Sequence, residues 1–600
     1  MILKKTLLIG AACLVVSCGQ SGSKSGDSEP VAPETQMSEV NLVKGAWSAQ
    51  QSSEILDKTL RIKLGYDTSG LTPNEIEAAD QLLLAGIRLH SMYLEQRHPQ
   101  ARAAQAVMAE SGRADQQALF RIFKGPIGVT LDNSTQAFIG VEPLTAARNV
   151  YPVGVEKSEL EAFITANPDR KDELLHLRSV VKIANEAEKS AALATLAARP
   201  ALETLHPGIR DYISSATGYF ALPYSLAYAD DIFYVYDRLY MAAAHIEGED
   251  IAFARFLRLR ARDLLADDYD GSDAAWVSSQ FSGNLNAQIG SYETYDDAMF
   301  GVKSFFSLSL LKRDIPQSES LAAATKDIQA IENNLPYSAN KQLRSNIPVG
   351  VYDVIADFGQ ARGTNTATIL PNEGHLSRQY GRTILIRSNI LTNPEIFTEA
   401  QRSFKAALAP AHHGDLAPQG NFYRTLWHEM GHYMGPDQTK SGGDIDAALQ
   451  DTASLIEEMK ADLVSLFAAR NLSRNGSFTQ EDLRGIYASG VLRVLLKNQP
   501  RRSQSYATMQ LIQWNWFMDQ GVLRFEDGVL SINYRRFPRA VEGLLRTVLD
   551  LQYQGDIEAT NAFVDKWTGW DEQLHGVIAA NMKAAEGSRY RLVTYEALGE

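Results

Sequence analysis

Cysteine is almost absent from this chain: among 600 residues only Cys13 and Cys18 carry a thiol, and both stand at the extreme start. The body therefore has no disulfide framework, no cysteine metal site and no thiol nucleophile, so its chemistry must come from His, Asp, Glu, Ser, Lys or Tyr. Positive charge is in deficit as well. Against 72 acidic residues stand 58 Lys and Arg, a formal charge of −14, which opposes phosphate backbones and anionic lipid surfaces. Nucleic acid is not an expected partner. A GxxxxGK[ST] phosphate loop and internal repeats are missing too. What remains, 45% hydrophobic and 22% charged residues over a length beyond one ordinary domain, is the balance of a soluble globular protein with sizeable cores. It excludes a disordered scaffold, a fibrous chain and a multi-span membrane protein.

The start reads MILKKTLLIGAACLVVSC: two lysines, a short apolar run, and a small residue just before Cys18. The basic start and short apolar core are those of an export signal too short to remain as a spanning helix. The last four residues resemble a bacterial lipobox, which implies cleavage after Ser17 and lipidation of Cys18. The expectation is an exported protein, lipid-anchored to a bacterial membrane. Gly19, in place of Asp after the anchor, favours the outer membrane or the periplasmic face. A plain secretory signal with an unmodified cysteine is the simpler alternative. Residues 19 to about 40 are rich in Ser, Gly, Pro and Glu and read as a flexible tether.

The body is mainly helical in pattern. Thr72-Pro73-Asn74-Glu75 combines an N-cap, a first-turn proline and a capping-box glutamate, and Ser158 with Glu161 repeats the device. Runs rich in Val and Ile at 127–131, 180–183, 349–355 and 383–386 read as strands. The mixture predicts an α+β protein of two lobes, one with a modest sheet or barrel and one mostly helical.

One segment carries chemistry. In Trp427-His428-Glu429-Met430-Gly431-His432 the histidines are four apart, so on a helix they project from one face and can share one metal ion. Glu429 lies about 100° round, placed for a metal-bound water instead of the metal. Zinc bound by neutral imidazoles acidifies its water, and an adjacent carboxylate can take that proton and pass it to a leaving amine. Downstream, LIEEMKADLVSLF places Glu458 and Asp462 four apart among apolar neighbours, where a carboxylate is costly unless paired or metal-bound. Glu458 reads as the third ligand of one Zn2+ per chain, with Asp462 accepting a ligand histidine's other N–H and Glu457 able to orient the second histidine. Two ordinary amphipathic helices with solvated acids are the bland alternative.

These residues resemble the dipeptidyl peptidase III family of zinc exopeptidases. Beyond HEMGHYMGP and EEMKAD the likeness extends to YPVGVEKSELEAFI, ALPYSLAY, FLRLRARDLLADDYDGSDAAW, IGSYETYDDAMFGVKSFF, ILPNE with RTILIRSNIL, and QGDIEATNAFVDKW, from about residue 60 to the end. The resemblance implies two lobes around a wide cleft, one mixed with a β-barrel core, the other mostly helical and carrying zinc. It divides the chain into a signal peptide (1–17), a tether (18–42), a mixed lobe (43–300 plus 346–395), a helical catalytic lobe (301–345 plus 396–585) and a C-terminal segment (586–600). It implies His428, His432 and Glu458 as zinc ligands, Glu429 as general base, Glu457 and Asp462 behind them, and Asn372 as a contact for substrate backbone. The implied partners are short peptides, from which N-terminal dipeptides are removed. Some relatives carry a nucleotide-diphosphate hydrolase module, but no Gly-rich, Glu-rich box of that kind is present, and no nucleotide is expected.

The chain also departs from the family. Its zinc motif has the short HExxH form, Ile369 replaces the first asparagine of the substrate-binding segment, and no histidine occurs between His432 and His575. The family's downstream transition-state histidine is therefore missing, with Tyr506 or Thr508 as the available replacements. A zinc hydrolase of different peptide or amide specificity and a non-catalytic peptide-binding lipoprotein stand as alternatives. Glu293 and Asp297, in the family-like stretch, either line the cleft or cap and pair locally. His412-His413, His90 and His245 read mainly as solvated or structural histidines, and Trp514, Trp516 and Phe517 as core.

Overall fold

The computed structural model describes residues 40, 45–279, 281–325, 328–343, 349–370, 379–380, 383–496 and 505–600. The expected signal peptide, nearly all of the tether with Cys18, and Asn372 lie outside the described residues. Among those described, no helix is long and apolar enough to cross a membrane.

The protein is α+β, built on two separate hydrophobic cores. The first is organised by helix α1 (Pro73–Arg97), which packs against α2 (Ala229–Ile246), itself packed on α3 (Ile251–Ala266). Helix α1 starts where the sequence predicts. The Thr72 hydroxyl accepts from Glu75 N at 3.1 Å, and the Glu75 carboxylate accepts from Thr72 N at 2.9 Å, satisfying two donors that a bare helix end leaves orphaned. From there Ala78, Leu82, Ala85, Leu89 and Met92 form a fully buried stripe, the three- and four-residue spacing of one helix face. The second capping box does not form: the helix at Lys157–Ala166 begins two residues early, with Glu156 at the N-cap, and no side chain caps it.

Between the cores runs a five-stranded sheet of β1 (Leu285–Ser291), β2 (Phe306–Arg313), β3 (Val349–Gly359), β4 (Ala367–Leu370) and β5 (Thr383–Arg387), in the spatial order β1-β2-β3-β5-β4. The β3–β5 pair is parallel and the other three pairs are antiparallel. Strand alternation explains how one sheet serves two cores. On β5, Leu385 enters the first core while Ile384 and Ile386 enter the second. Closure of the β1 and β4 edges into the expected barrel is not among the pairings of the described residues. Strand β2, within the 301–345 stretch read as part of the helical lobe, contributes Phe306, Leu308, Leu310 and Leu311 to the first core, because it forms an antiparallel pair with β1 along its length. Nor is the C-terminal stretch separate: Tyr590–Tyr595 pairs in parallel with Thr59–Leu64.

The second core is helical: α4 (Pro418–Gly431), α5 (Ala453–Arg474), α6 (Gln480–Leu495), α7 (Ser505–Asp519) and α8 (Phe537–Gln554). Two glycines let α4 sit close to its neighbours. A Cβ on Gly420 would lie 2.4 Å from Gly485 backbone on α6, and one on Gly431 would lie 2.9 Å from the Ala461 Cα on α5. Both are distances that real side chains do not tolerate. The absence of side chains there sets how near the α4 histidines come to the α5 carboxylates.

Candidate metal centre

Helix α4 buries Phe422, Leu426 and Met430 in the second core and turns His428 toward α5. Regular helix ends at Gly431. His432 is the C-cap with right-handed helical angles, and the chain tightens to three-residue bonds, His432 N to Glu429 O at 3.3 Å and Tyr433 N to Met430 O at 3.1 Å. The i, i+4 relation survives this tightening: the two imidazoles lie 5.0 Å apart, nearly perpendicular at 88°. Gly435 then turns the chain at φ +84°, with its N–H on Glu332 Oε2 at 2.9 Å.

Helix α5 supplies the acids. His428 Nε2 faces Glu458 Oε2 at 3.3 Å, while its Nδ1 meets Asp462 Oδ1 at 2.7 Å. His432 Nδ1 lies 2.9 Å from Glu457 Oε1. Each ring thus has its Nδ1 against a carboxylate, which fixes its orientation and presents Nε2 to a ligand, with His428 Nε2 facing Glu458 across that side. One donor atom from each of His428, His432 and Glu458 falls within 4.8 Å of the others. Glu429 is half-buried beside them on α4.

The carboxylates behind the histidines are themselves held. Glu457 takes Lys460 Nζ at 2.8 Å and Gln552 Nε2, from α8, at 2.8 Å. Asp462 takes Arg493 Nε, from α6, at 3.3 Å and Arg424 Nη1 at 3.4 Å. Burial opposes the charge on Asp462, but Arg493, His428 and Arg424 hold its carboxyl far below the usual range. Glu457 is likewise held low, by Lys460 and His432 against burial. For His428, burial disfavours the cation, yet Asp462 and Glu458 hold it up at about 9. Positive charge at His428 therefore answers two carboxylates, and a divalent cation on its Nε2 side answers them with the ring neutral. Glu458 Oε2 is buried with no hydrogen-bond partner, an orphan lone pair aimed at His428 that a bound cation would satisfy. Two imidazole nitrogens and a carboxylate oxygen are a donor set that suits zinc.

Arg424, Arg493, Lys460 and Gln552 escaped sequence reasoning as parts of this arrangement, whereas Tyr506 is already named there as a replacement for a missing group. Arg424 carried a readable signal, standing four residues before His428 on the same helical face. Arg493 and Gln552 arrive from other helices and leave no local pattern. Tyr506, in the first turn of α7, has its ring 5.3 Å from the Arg493 guanidinium. Burial and the Glu458 charge push its phenol above the ordinary value.

Glu293 is half-buried in the loop after β1, where its carbonyl accepts from Phe305 N at 3.2 Å and its side chain bonds Tyr295. Asp297 collects backbone N–H groups from Met299, Phe300, Val302 and Lys303 together with the Tyr151 hydroxyl, the work of a loop organiser. His412 is held between Asp415 Oδ2 at 2.9 Å and Ile532 N at 3.0 Å, and His413 reaches Leu408 O at 2.9 Å. A cavity of about 660 Å³ in the first lobe, lined by His176, His206 and Asp267 among others, includes none of the metal-centre residues.

A two-lobed α+β protein whose HExxH helix is met by a second, acid-bearing helix is the class that this geometry defines. No family model matches the chain. A curated relative, Nudix hydrolase 3 of Arabidopsis thaliana, is 24% identical over 436 residues, covering 70% of this chain and 54% of the relative. The chain thus spans about half the length of the curated relative it matches. The structure of dipeptidyl peptidase III from Caldithrix abyssi aligns with a TM-score of 0.76 at 21% identity, over 91% of this chain and 99% of that one. That of dipeptidyl peptidase III from Corallococcus sp. strain EGB gives 0.68 at 22% identity, over 92% and 98%. The fold of this chain is the dipeptidyl peptidase III fold.

Proposed function

We propose that the chain is a zinc metallopeptidase of dipeptidyl peptidase III type that hydrolyses short peptides with release of N-terminal dipeptides. The observation that carries this reading is the convergence of His428, His432 and Glu458 with a neighbouring carboxylate, Glu429, that lies outside the ligand group. Zinc held by these three residues supplies a Lewis acid for the scissile carbonyl and an acidified water. Glu429 takes a proton from the attacking water and returns it to the departing amine, so the carboxylate ends the cycle as it began. Asp462 and Glu457 keep each imidazole in the tautomer and orientation that presents its other nitrogen. The fold likeness to two dipeptidyl peptidase III structures supports the reading.

Metal analysis of protein purified without chelators tests it. About one zinc per chain is expected, lost in His428→Ala, while Glu429→Gln keeps metal and loses hydrolysis. A metal-free wild type would sink the scheme. Ile369 in the edge strand β4, where the family has asparagine, favours a second reading in which another peptide length or amide is cleaved. Mass spectrometry of a digested peptide library separates the two, since products other than dipeptides reject the first. Stoichiometric peptide retention without any product would instead mark a binding protein. The lipobox-like start supports export and anchoring through Cys18 to the outer membrane or the periplasmic face, and an unlipidated N-terminus in mass spectra of the membrane fraction would reject it.

A further inference from the structure

Glu332 is wholly buried and stands 103 residues before the backbone amide it meets at the edge of the metal centre. Its short helix, Ile328–Asn334, sets Ile328 and Ile331 into the second core. Three donors converge on the carboxylate: the Tyr337 hydroxyl at 2.5 Å and Lys341 N at 3.1 Å on Oε1, and Gly435 N at 2.9 Å on Oε2. A carboxylate taken this deep is costly unless donors satisfy it, and one of the three belongs to the turn that follows His432. From the other side the same turn is held by α5. Lys460 donates to Met434 O at 2.8 Å and meets Glu457 Oε1 at 2.8 Å, and Glu457 Oε1 meets His432 Nδ1 at 2.9 Å. His432, Met434, Lys460 and Glu457 thus close a ring, which Glu332 grips at the next amide. The grip bears on one histidine more than the other. His428 stands within regular helix, whereas His432 is the C-cap, past the last full turn, so its position is set by what anchors the chain beyond it.

Resting on the zinc reading above, we propose that Glu332 is a positioning residue for His432: its hold on the Gly435 amide fixes the end of α4 and so the direction in which the imidazole presents Nε2. Glu332 is not a member of the metal group and acts through the backbone. A carboxylate suits this task because both of its oxygens only accept, which matches three donors and leaves no hydrogen to conflict with them. Gly435 tightens the coupling. It turns at φ +84°, and a Cβ there would lie 2.8 Å from Leu549 Cδ2 and 3.1 Å from Lys460 Cδ, so a shift of the turn is passed to Lys460 and thence to Glu457.

The test uses Glu332→Met, which nearly keeps the volume and leaves the Gly435 N–H without its acceptor. Zinc affinity of the folded protein, read by chelator competition, should fall about tenfold. Tyr337→Phe removes a donor from Oε1 but spares the Gly435 contact, so it should lower the urea midpoint while zinc affinity stays within about threefold of wild type. In double variants the loss from Glu332→Met should shrink beside Glu457→Gln, which has already freed His432, and persist beside Asp462→Asn, which acts on His428. Undiminished zinc affinity in Glu332→Met overturns the proposal, and so does an equal loss in Tyr337→Phe or an equal loss on both backgrounds. Should Glu332→Met fail to fold, the wild type decides. Coupling is reciprocal, so zinc should slow hydrogen exchange at the Gly435 and Lys341 amides together, and unchanged exchange at Lys341 overturns the proposal. A wild type that binds no zinc defeats the reading it rests on, whereas a zinc-binding wild type with an equally tight E332M defeats this inference alone.

Discussion

Each lobe buries an aspartate against arginine, and the two arrangements do opposite things. In the sheet, Asp357 and Arg387 pair at 2.9 Å with both side chains essentially inaccessible, and Arg387 also donates to Ser309 Oγ at 2.9 Å. Burial outweighs Arg387 in contact, together with the weaker pull of Lys124 and Arg362, and raises the Asp357 carboxyl. In the helical lobe Asp462 meets two arginines and His428, and is held strongly ionised. The first pair faces only strands of the sheet and fastens β5 to β3 and, through Ser309, to β2. The second is compensated beyond its own need, so it can orient a histidine whose far nitrogen is left for a ligand. What separates a rivet from a positioning device here is the number of cations in direct contact with the carboxylate, one at Asp357 and three at Asp462, and the open side of the histidine.

That contrast breaks most visibly at Arg387. Arg387→Met leaves Asp357 buried without a counterion and should cost about 3–5 kcal/mol of stability, read by urea denaturation. The double variant Arg387→Met/Asp357→Leu should recover much of it. Zinc stoichiometry of the folded fraction should not change. An equal loss of metal affinity would show that the sheet and the centre are one unit.

Asp462→Asn should act the other way round. Metal affinity should fall about 10- to 100-fold in chelator competition, because the amide presents a weaker acceptor to His428 Nδ1. Should zinc bind as tightly as before, Asp462 is a rivet like Asp357, and the contrast fails. Two glycines sharpen the same point at lower energy. A Cβ on Gly86 of α1 would meet the Phe358 ring of β3 at 2.3 Å, and one on Gly431 would meet Ala461 backbone. Alanine at either position should cost about 1–3 kcal/mol by overpacking. Only Gly431→Ala, which pushes α4 from α5, should also weaken zinc binding.

Sequence legibility followed the same division. Patterns within one element were readable: the Thr72–Glu75 capping box, the strands near 180, 349 and 383, and the paired i, i+4 spacings of His428/His432 and Glu458/Asp462. Ser158 misled because a cap needs the preceding backbone as well as the right residue, and Glu156 takes the position that the hydroxyl would have needed. Strand β2 was assigned to the helical lobe because its partner β1 lies before a long loop and pairing leaves no mark on the strand itself. Arg493 and Gln552 were invisible as supports since their role comes from helix packing, whereas Lys460, three residues after Glu457 on α5, was a local pattern left unread. The histidines at 412 and 413 carried no signal separating a metal role from the hydrogen-bonded loop that the fold makes of them.

The mildest test uses protons. In the first lobe His90 and His176 are held neutral: burial first, then nearby cations, pull them down to about 3 and about 4. The unfolded chain takes up protons at these rings near their ordinary value of about 6.5, so the stability they allow is present above that value and declines as pH falls toward 3–4. In the second lobe His428 lies at about 9, and the sign reverses. Without metal its contribution is complete below about 6.5 and is lost as pH rises through 9. Urea midpoints across pH 4–9.5 in chelator should therefore decline at both ends, the acid limb flattened in His90→Gln and the alkaline limb in His428→Gln. With zinc the alkaline limb should vanish, since metal takes the place of the proton on His428. Persistence of that limb in the zinc-loaded protein would mean that His428 is not a ligand, and the two lobes would then differ in packing alone.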